Sequence, residues 1–280
     1  MLRWRYVYLV RSIRRCDVIY NLNIGEFTVI SSTLYDTLLT VYFVLIPITF
    51  VTLLFIPAPY GRQNRPGWGP QISSRLGWFV METPAIFIFA WVFFRGQYQT
   101  TGAALLFLSL WQIHYINRSI VYPLRQRGQN KTIPVLLCGL AIAFHALNGT
   151  VNAHFVAHVH SYDSGWWTDV RLIVGLIVFV VGMAINLHSD AVQRALRAPG
   201  ESGYMLPRGG MFRFVSSPNY LGEIIEWTGW AIATWSLPGL AFALYTLANL
   251  APRARSNHAW YHAKFSDYPK HRKALIPFVW

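Results

Sequence analysis

Charge is scarce in this chain, and negative charge is scarcest. Of 280 residues only 12% are charged, with 11 Asp and Glu against 24 Lys and Arg, while 54% are hydrophobic. Soluble domains carry about a quarter charged residues. The shortage excludes an ordinary water-soluble globule and points to a membrane protein packed as one bundle. A net charge of +13 would suit nucleic acid on a polar background. On this apolar one it fits basic loops on one face of a bilayer or an anionic cofactor, so no nucleic acid is expected. Cysteine is nearly absent: Cys16 and Cys138 exclude a disulfide framework, and Cys138, inside an apolar run, is expected to be a free buried thiol. There is no GxGxxG turn, P-loop or zinc-type Cys/His spacing, so no metal is expected. Neither an internal repeat nor a low-complexity tract is present. Residues 1–15 alternate Arg with aromatic and aliphatic residues and lack the apolar core of a cleavable leader.

Long hydrophobic runs are plentiful. Seven stand at 37–57, 78–94, 102–121, 133–153, 170–187, 220–236 and 238–252. The pattern predicts an all-α integral membrane protein, a bundle of seven transmembrane helices over 34–280, with 1–33 as a peripheral N-terminal extension. Several runs fall short of the roughly 20 residues that cross a bilayer, and the last is expected to continue helically past Ala251. Pro238 marks a tight break before it. Alternate loops concentrate the basic residues: Arg62, Arg65 and Arg75, then Arg118, Arg125, Arg127 and Lys131, then Arg194, Arg197, Arg208 and Arg213, then the tail. By the positive-inside rule those loops and the C-terminus face the cytosol.

Polar residues inside the runs are functional candidates by default. Glu82 lies one turn into the second run, beside Pro84. It is either neutralised by a buried arginine or a carboxyl that faces a substrate. Tyr115, Arg118 and Tyr122 share a helical face; they either belong to an interface belt or meet an anionic or carbonyl-bearing ligand. Asn186, Asp190, Arg194 and Arg197 form a stripe at i, i+4, i+8 and i+11. An Asp190–Arg194 salt bridge would explain two of them, whereas a polar wall ending in a phosphate-binding arginine would explain all four. Asn219, Glu223 and Glu226 share one face of an otherwise apolar helix that begins at a Ser-Ser-Pro turn. His154, His158 and His160 are read as a wet loop. The tail from Asn257 to Pro277 mixes aromatic and basic residues, either to rest on anionic headgroups or to fold back over a cytosolic-side pocket.

Several of these stretches together carry a resemblance. Asn186-Leu187-His188-Ser189-Asp190, Pro199-Gly200-Glu201, Pro218-Asn219-Tyr220-Leu221-Gly222-Glu223-Ile224-Ile225-Glu226-Trp227, Ala231-Ile232-Ala233-Thr234-Trp235 and Asp267-Tyr268-Pro269-Lys270-His271-Arg272-Lys273-Ala274-Leu275-Ile276-Pro277-Phe278 resemble the steroid 5α-reductase family, types 1 and 2 most closely. The likeness runs from Leu76 to the C-terminus and is most specific over 186–280. It implies a seven-helix fold with NADPH among the cytosolic halves of the later helices and the tail closed over it. Glu82 and Tyr115 match the substrate-side pair. Asn186, Asp190, Arg197, Asn219, Glu223 and Tyr261 match cofactor-contacting positions, and Arg118, Tyr122, Arg127, Tyr204 and His258 are further cofactor contacts. Met81, Cys138 and Met205 depart from the pattern.

The implied reaction is reduction of the Δ4 bond of a 3-oxo-Δ4-steroid such as testosterone or progesterone. Hydride reaches the β-carbon while Tyr115, supported by protonated Glu82, polarises the ketone. Solvent then protonates the α-carbon. Asn219 and Glu223 suit the donor and acceptor needs of a nicotinamide carboxamide. The expected partners are a steroid or related lipid enone and the bilayer, with the chain acting as a monomer in a bacterial inner membrane or endoplasmic reticulum. Two other readings stand beside this one: a membrane methyltransferase of the isoprenylcysteine type, and a non-catalytic sterol-binding or transport protein.

Overall fold

The computed structural model describes residues 29–127, 131–198 and 203–280. Among them are seven helices of 15 residues or more: α1 (Ser32–Phe55), α2 (Ser74–Phe93), α3 (Gly102–Ile116), α4 (Val135–His154), α5 (Val170–Ala195), α6 (Pro218–Thr234) and α7 (Leu237–Lys264). Each predicted hydrophobic run falls on one of them, and α7 continues well past Ala251. Four helical stretches are long and apolar enough to cross a membrane: Ser32–Phe55, Ser74–Phe93, Val135–Val159 and Val170–Ala195. Of the extension set apart as 1–33, residues 1–28 lie outside the described part, while Ser32 and Thr33 already belong to α1.

Local sequence explains where the helices start and stop. Ser31, Ser73, Thr101, Asp169 and Ser236 cap α1, α2, α3, α5 and α7, each accepting from a backbone N–H of the first turn. Pro218 opens α6, where a missing N–H costs nothing. Trp235 ends α6 in the left-handed region at φ 46°, so the break before α7 lies at Trp235 and Ser236, just ahead of Pro238. A short antiparallel pair, β1 (Gln71–Ser73) and β2 (Thr132–Pro134), ties together the loops that precede α2 and α4.

α5 and α6 pack backbone to backbone. Gly175 and Gly182 on α5 face Gly222 and Gly229 on α6, a seven-residue repeat on each helix that keeps the glycines on one stripe. A Cβ on Gly182 would stand 2.2 Å from the Glu226 nitrogen and 2.6 Å from the Gly222 oxygen. Both are backbone atoms, so the helices would have to part. Gly182→Ala is therefore expected to cost about 1–3 kcal/mol, seen as a lower melting temperature in detergent.

The core is aromatic, with Phe89, Phe107, Trp111, Trp227, Trp230 and Phe242 buried at the bundle centre. Buried polar groups inside it are paired across helices. Tyr42 donates to Asn148 Oδ1 at 2.9 Å, and the Trp230 indole donates to Asn152 Oδ1 at 2.9 Å. α1 keeps most of its surface outside, with Val44, Ile48, Val51 and Phe55 exposed, as a lipid-facing helix would.

One expectation is overturned. His154 and His158 do not lie in a wet loop: they are buried at the end of α4 and in the π-turn Phe155–Val159 that prolongs it, with their rings stacked at 4.6 Å. Helix continuation past the apolar run carries them inside. The tail also takes a definite course. The Ser216 N–H donates to Lys273 O at 2.8 Å and the Lys273 N–H to Phe214 O at 2.9 Å. Tyr268 hydroxyl meets Ser216 Oγ. The chain end thus returns onto the segment that leads into α6.

Candidate active site

α1, α2, α3, α4, α6 and α7 enclose a cavity of about 1070 Å³. One part of its wall is apolar: Leu45 and Ile48 from α1, Leu137, Leu140 and Phe144 from α4, and Phe242 from α7. Set into this wall are Glu82 from α2 and Tyr115 from α3. The Glu82 carboxylate lies 3.3 Å from His145 Nε2 on α4. Pro84, two residues on, has no N–H to give the preceding turn. The Tyr115 ring is wedged between His114, His145 and Trp227, at centroid distances of 4.9, 5.2 and 5.9 Å. Behind it His114 Nδ1 meets Glu226 Oε1 at 2.7 Å, and Glu226 is fully buried.

Beyond Tyr115 the lining turns polar. α3 passes into a π-turn at Asn117–Val121 and a last turn at Tyr122–Arg125. This brings Tyr115, Arg118 and Tyr122 into the same cavity. The Arg118 guanidinium lies over the Trp78 and Tyr122 rings at 4.5 and 4.9 Å, and 3.5 Å from Asp190 Oδ2. Asp190 thus pairs across the bundle with Arg118 rather than along its own helix with Arg194. Asn219 Nδ2 donates to Asp190 Oδ1 at 3.3 Å, and Asn186 Nδ2 donates to the Asn219 carbonyl at 3.0 Å. Asn219 and Glu223 face the cavity, with Asn186 and Asp190 bracing Asn219 from α5.

The loop end of the cavity gathers cations. Arg62, Lys131 and Arg197 surround the Tyr204 ring at 5.7, 5.7 and 5.5 Å, and Arg62 also lies 4.5 Å over the Tyr261 ring. Arg253 stands over Tyr60 at 4.5 Å. Among the described residues none of Arg62, Lys131, Arg197 or Arg253 has a carboxylate within ion-pair distance. Burial first, then the positive fields of Arg197 and Arg62, bring the Lys131 ammonium down to about 8.

Other residues singled out in the sequence stand apart from the lining. Arg127 donates to the Arg197 carbonyl at 2.8 Å in a separate shallow pocket with Arg75 and Arg194. His258 Nδ1 lies 2.6 Å from Ser216 Oγ, one layer behind the wall. Tyr261 is buried under Arg62. Cys138 packs with Met81 and Ile133, its thiol 3.9 Å from the Gly77 carbonyl. Met81 and Ile133 are on the wall; Cys138 is not among the lining residues.

The cavity thus joins a carboxyl and a phenol in an apolar recess to a cation-rich mouth. The model of the 3-oxo-5-alpha-steroid 4-dehydrogenase family matches residues 131–280. Steroid 5-alpha-reductase DET2 of Gossypium hirsutum is 46% identical over 251 residues, covering 87% of this chain and 96% of that protein. The rat (Rattus norvegicus) 3-oxo-5-alpha-steroid 4-dehydrogenase 1 is 42% identical over 240 residues, covering 83% and 90%. The human (Homo sapiens) 3-oxo-5-alpha-steroid 4-dehydrogenase 1 is 40% identical over 227 residues, covering 79% and 85%. The chain belongs to the 3-oxo-5-alpha-steroid 4-dehydrogenase family.

In this family member sequence reasoning missed His145, His114 and the cationic trio's Arg62 and Lys131 as part of the site. The two histidines carried a signal, since each is an ionisable residue within an apolar run. Arg62 and Lys131 carried none beyond loop charge, because only the fold brings their loops to Arg197.

Proposed function

We propose that this protein reduces the Δ4 bond of a 3-oxo-Δ4-steroid, with NADPH as reductant, to a 5α-dihydro product. The observation that carries the reading is the composition of this cavity. Glu82 and Tyr115 stand in its apolar part, and cations with no carboxylate partner among the described residues stand at its loop end. A steroid is a rigid apolar body with a carbonyl at one end, which suits the first part. A dinucleotide phosphate is a polyanion, which suits the second.

The residues present fit that cofactor. Glu223 faces the cavity and has no side-chain hydrogen bond among the described residues. Asp190 Oδ2 is buried without a hydrogen-bond partner. Asn219 and Glu223 offer a donor and acceptors to a carboxamide, and Arg62, Lys131, Arg197 and Arg118 offer cations to phosphates. When bound, the nicotinamide supplies the hydride. The chain's own groups do the rest. The apolar wall excludes water and holds the steroid, and Tyr115 donates its O–H to the ketone oxygen as charge develops there. Glu82 lies beside this donor and supports its proton. The basic loops and the C-terminus are assigned to the cytosolic side, where NADPH arrives.

The deciding experiment uses protein purified in detergent, with NADPH and testosterone or progesterone. Loss of nicotinamide absorbance with a 5α-configured product is expected. Binding of S-adenosylmethionine instead of NADPH would favour the methyltransferase, and steroid binding without turnover would favour transport. Lys131 supplies an independent check. Because its ammonium loses its proton near 8, NADPH affinity should fall as pH rises from 7 to 9. One phosphate contact of this kind is worth roughly 2- to 5-fold. Isothermal titration of Lys131→Gln should lack that step.

A further inference from the structure

The reaction proposed above leaves one proton without a source inside the site. If Tyr115 gives its O–H to the ketone oxygen, a phenolate remains at a position only 2% exposed, among the carboxylates of Glu82, Glu223 and Glu226. Such a charge is costly there and must be quenched at once. Two imidazoles flank the Tyr115 ring. His114 is held from behind by Glu226. His145 is held from the cavity side by Glu82, and its ring stands edge-on to Tyr115 at 87°.

His145 has the features of a proton holder rather than of a core filler. It sits in an apolar stretch of α4 beside Phe144, with only 6% of its surface exposed. Its Nδ1 is buried with no hydrogen-bond partner, so its polar connection within the protein runs through Nε2 to Glu82. A leucine would fill the same volume without the cost of an unpaired ring nitrogen. The other ionisable groups around it are His114 and Tyr115 on α3, Arg118 on the π-turn that follows, Glu223 and Glu226 on α6, and Tyr245 on α7. All of these except Tyr115 and Glu223 have partners of their own.

We propose that His145 is the positioning residue that stores, with Glu82, the proton that restores Tyr115 during turnover. This rests on the reductase reading. A bound dihydronicotinamide would supply the hydride for the new C–H bond at the β-carbon, with the double-bond electrons moving to the ketone oxygen. The Tyr115 O–H bond breaks as the substrate O–H bond forms. The proton shared by Glu82 and His145 passes to the Tyr115 oxygen and leaves a carboxylate and a neutral imidazole. The enol then gains an α-carbon proton from water, whose hydroxide takes up the one proton the reaction draws from solvent, and releases its O–H proton back to the pair. The substrate has gained one hydride and one proton, and the reductant has lost two electrons.

The test pairs kinetics with infrared spectroscopy on full-length protein in detergent. NADPH-dependent reduction by the wild-type chain is measured first and judges the reductase reading alone. His145→Gln is then expected to lower kcat about 10²-fold, the usual worth of a positioned proton-transfer group. KM for the steroid and NADPH affinity should stay within about twofold. The Glu82 carboxyl band, identified by its loss in Glu82→Gln, is expected to shift or appear in His145→Gln without any ligand present. An unchanged kcat together with an unchanged Glu82 band would overturn the proposal while leaving the reductase reading intact. If the wild type reduces no enone, the infrared result decides whether the pair shares a proton. If His145→Gln fails to fold, His145→Asn is read by the same two measurements.

Discussion

Tyr115→Phe is expected to lower kcat for enone reduction by about 10²–10³-fold with NADPH affinity unchanged. The size follows from what the substitution removes: a single hydrogen-bond donor aimed at developing charge in a site closed to water. The phenyl ring keeps its place, because it is clamped by Trp111, Trp227, His114 and His145 and needs no hydroxyl to stay there. The residues proposed to hold the cofactor, Arg118, Asn219 and Glu223, line the cavity without touching the Tyr115 ring stack. Stopped-flow turnover and equilibrium binding of NADPH measured on one preparation separate the two quantities. A loss of binding equal to the loss of rate would take Tyr115 out of the chemistry.

Glu226→Ala should be the most damaging single change to stability, by about 3–5 kcal/mol. Glu226 is fully buried and holds His114 Nδ1 at 2.7 Å, while its second oxygen already lacks a partner. Removing the carboxylate leaves His114 buried with nothing to receive its ring N–H. It also opens a void between α6 and α3, where the side chain meets His114. The paired replacement His114→Leu with Glu226→Leu should recover most of the loss, since two apolar groups of similar size leave nothing unsatisfied. Melting curves for the two single variants and the double variant give the coupling directly.

The parts of the molecule that are legible in its sequence are those set by local pattern. The seven apolar runs became the seven long helices, and Asn219 and Glu223 sit on one face of α6 because four residues make about one turn. Glu226 belongs to the same pattern, yet it points to His114, since a helical face says nothing about which neighbour covers each end of it. Asp190 shows the limit clearly. Spacing along α5 offers Arg194 as a partner, but packing supplies Arg118 from a helix more than sixty residues earlier in the chain. π-turns at Asn117–Val121 and Phe155–Val159 leave no signature in composition. The first helps place Tyr122, and the second carries His158 into the interior. The glycines of α5 and α6 went unread in the sequence, because their value is visible only where the two backbones touch.

The return of the chain end onto Phe214 and Ser216 has a consequence for how the protein is made. The segment that sets the start of α6, and with it Asn219 and Glu223, is braced by Tyr268 and Lys273. Those residues follow α7 and are made after every described helix. The start of α6 is therefore braced only once the segment beyond α7 has been made. A chain halted before residue 268 would carry every described helix of the bundle and still lack the clasp on the start of α6.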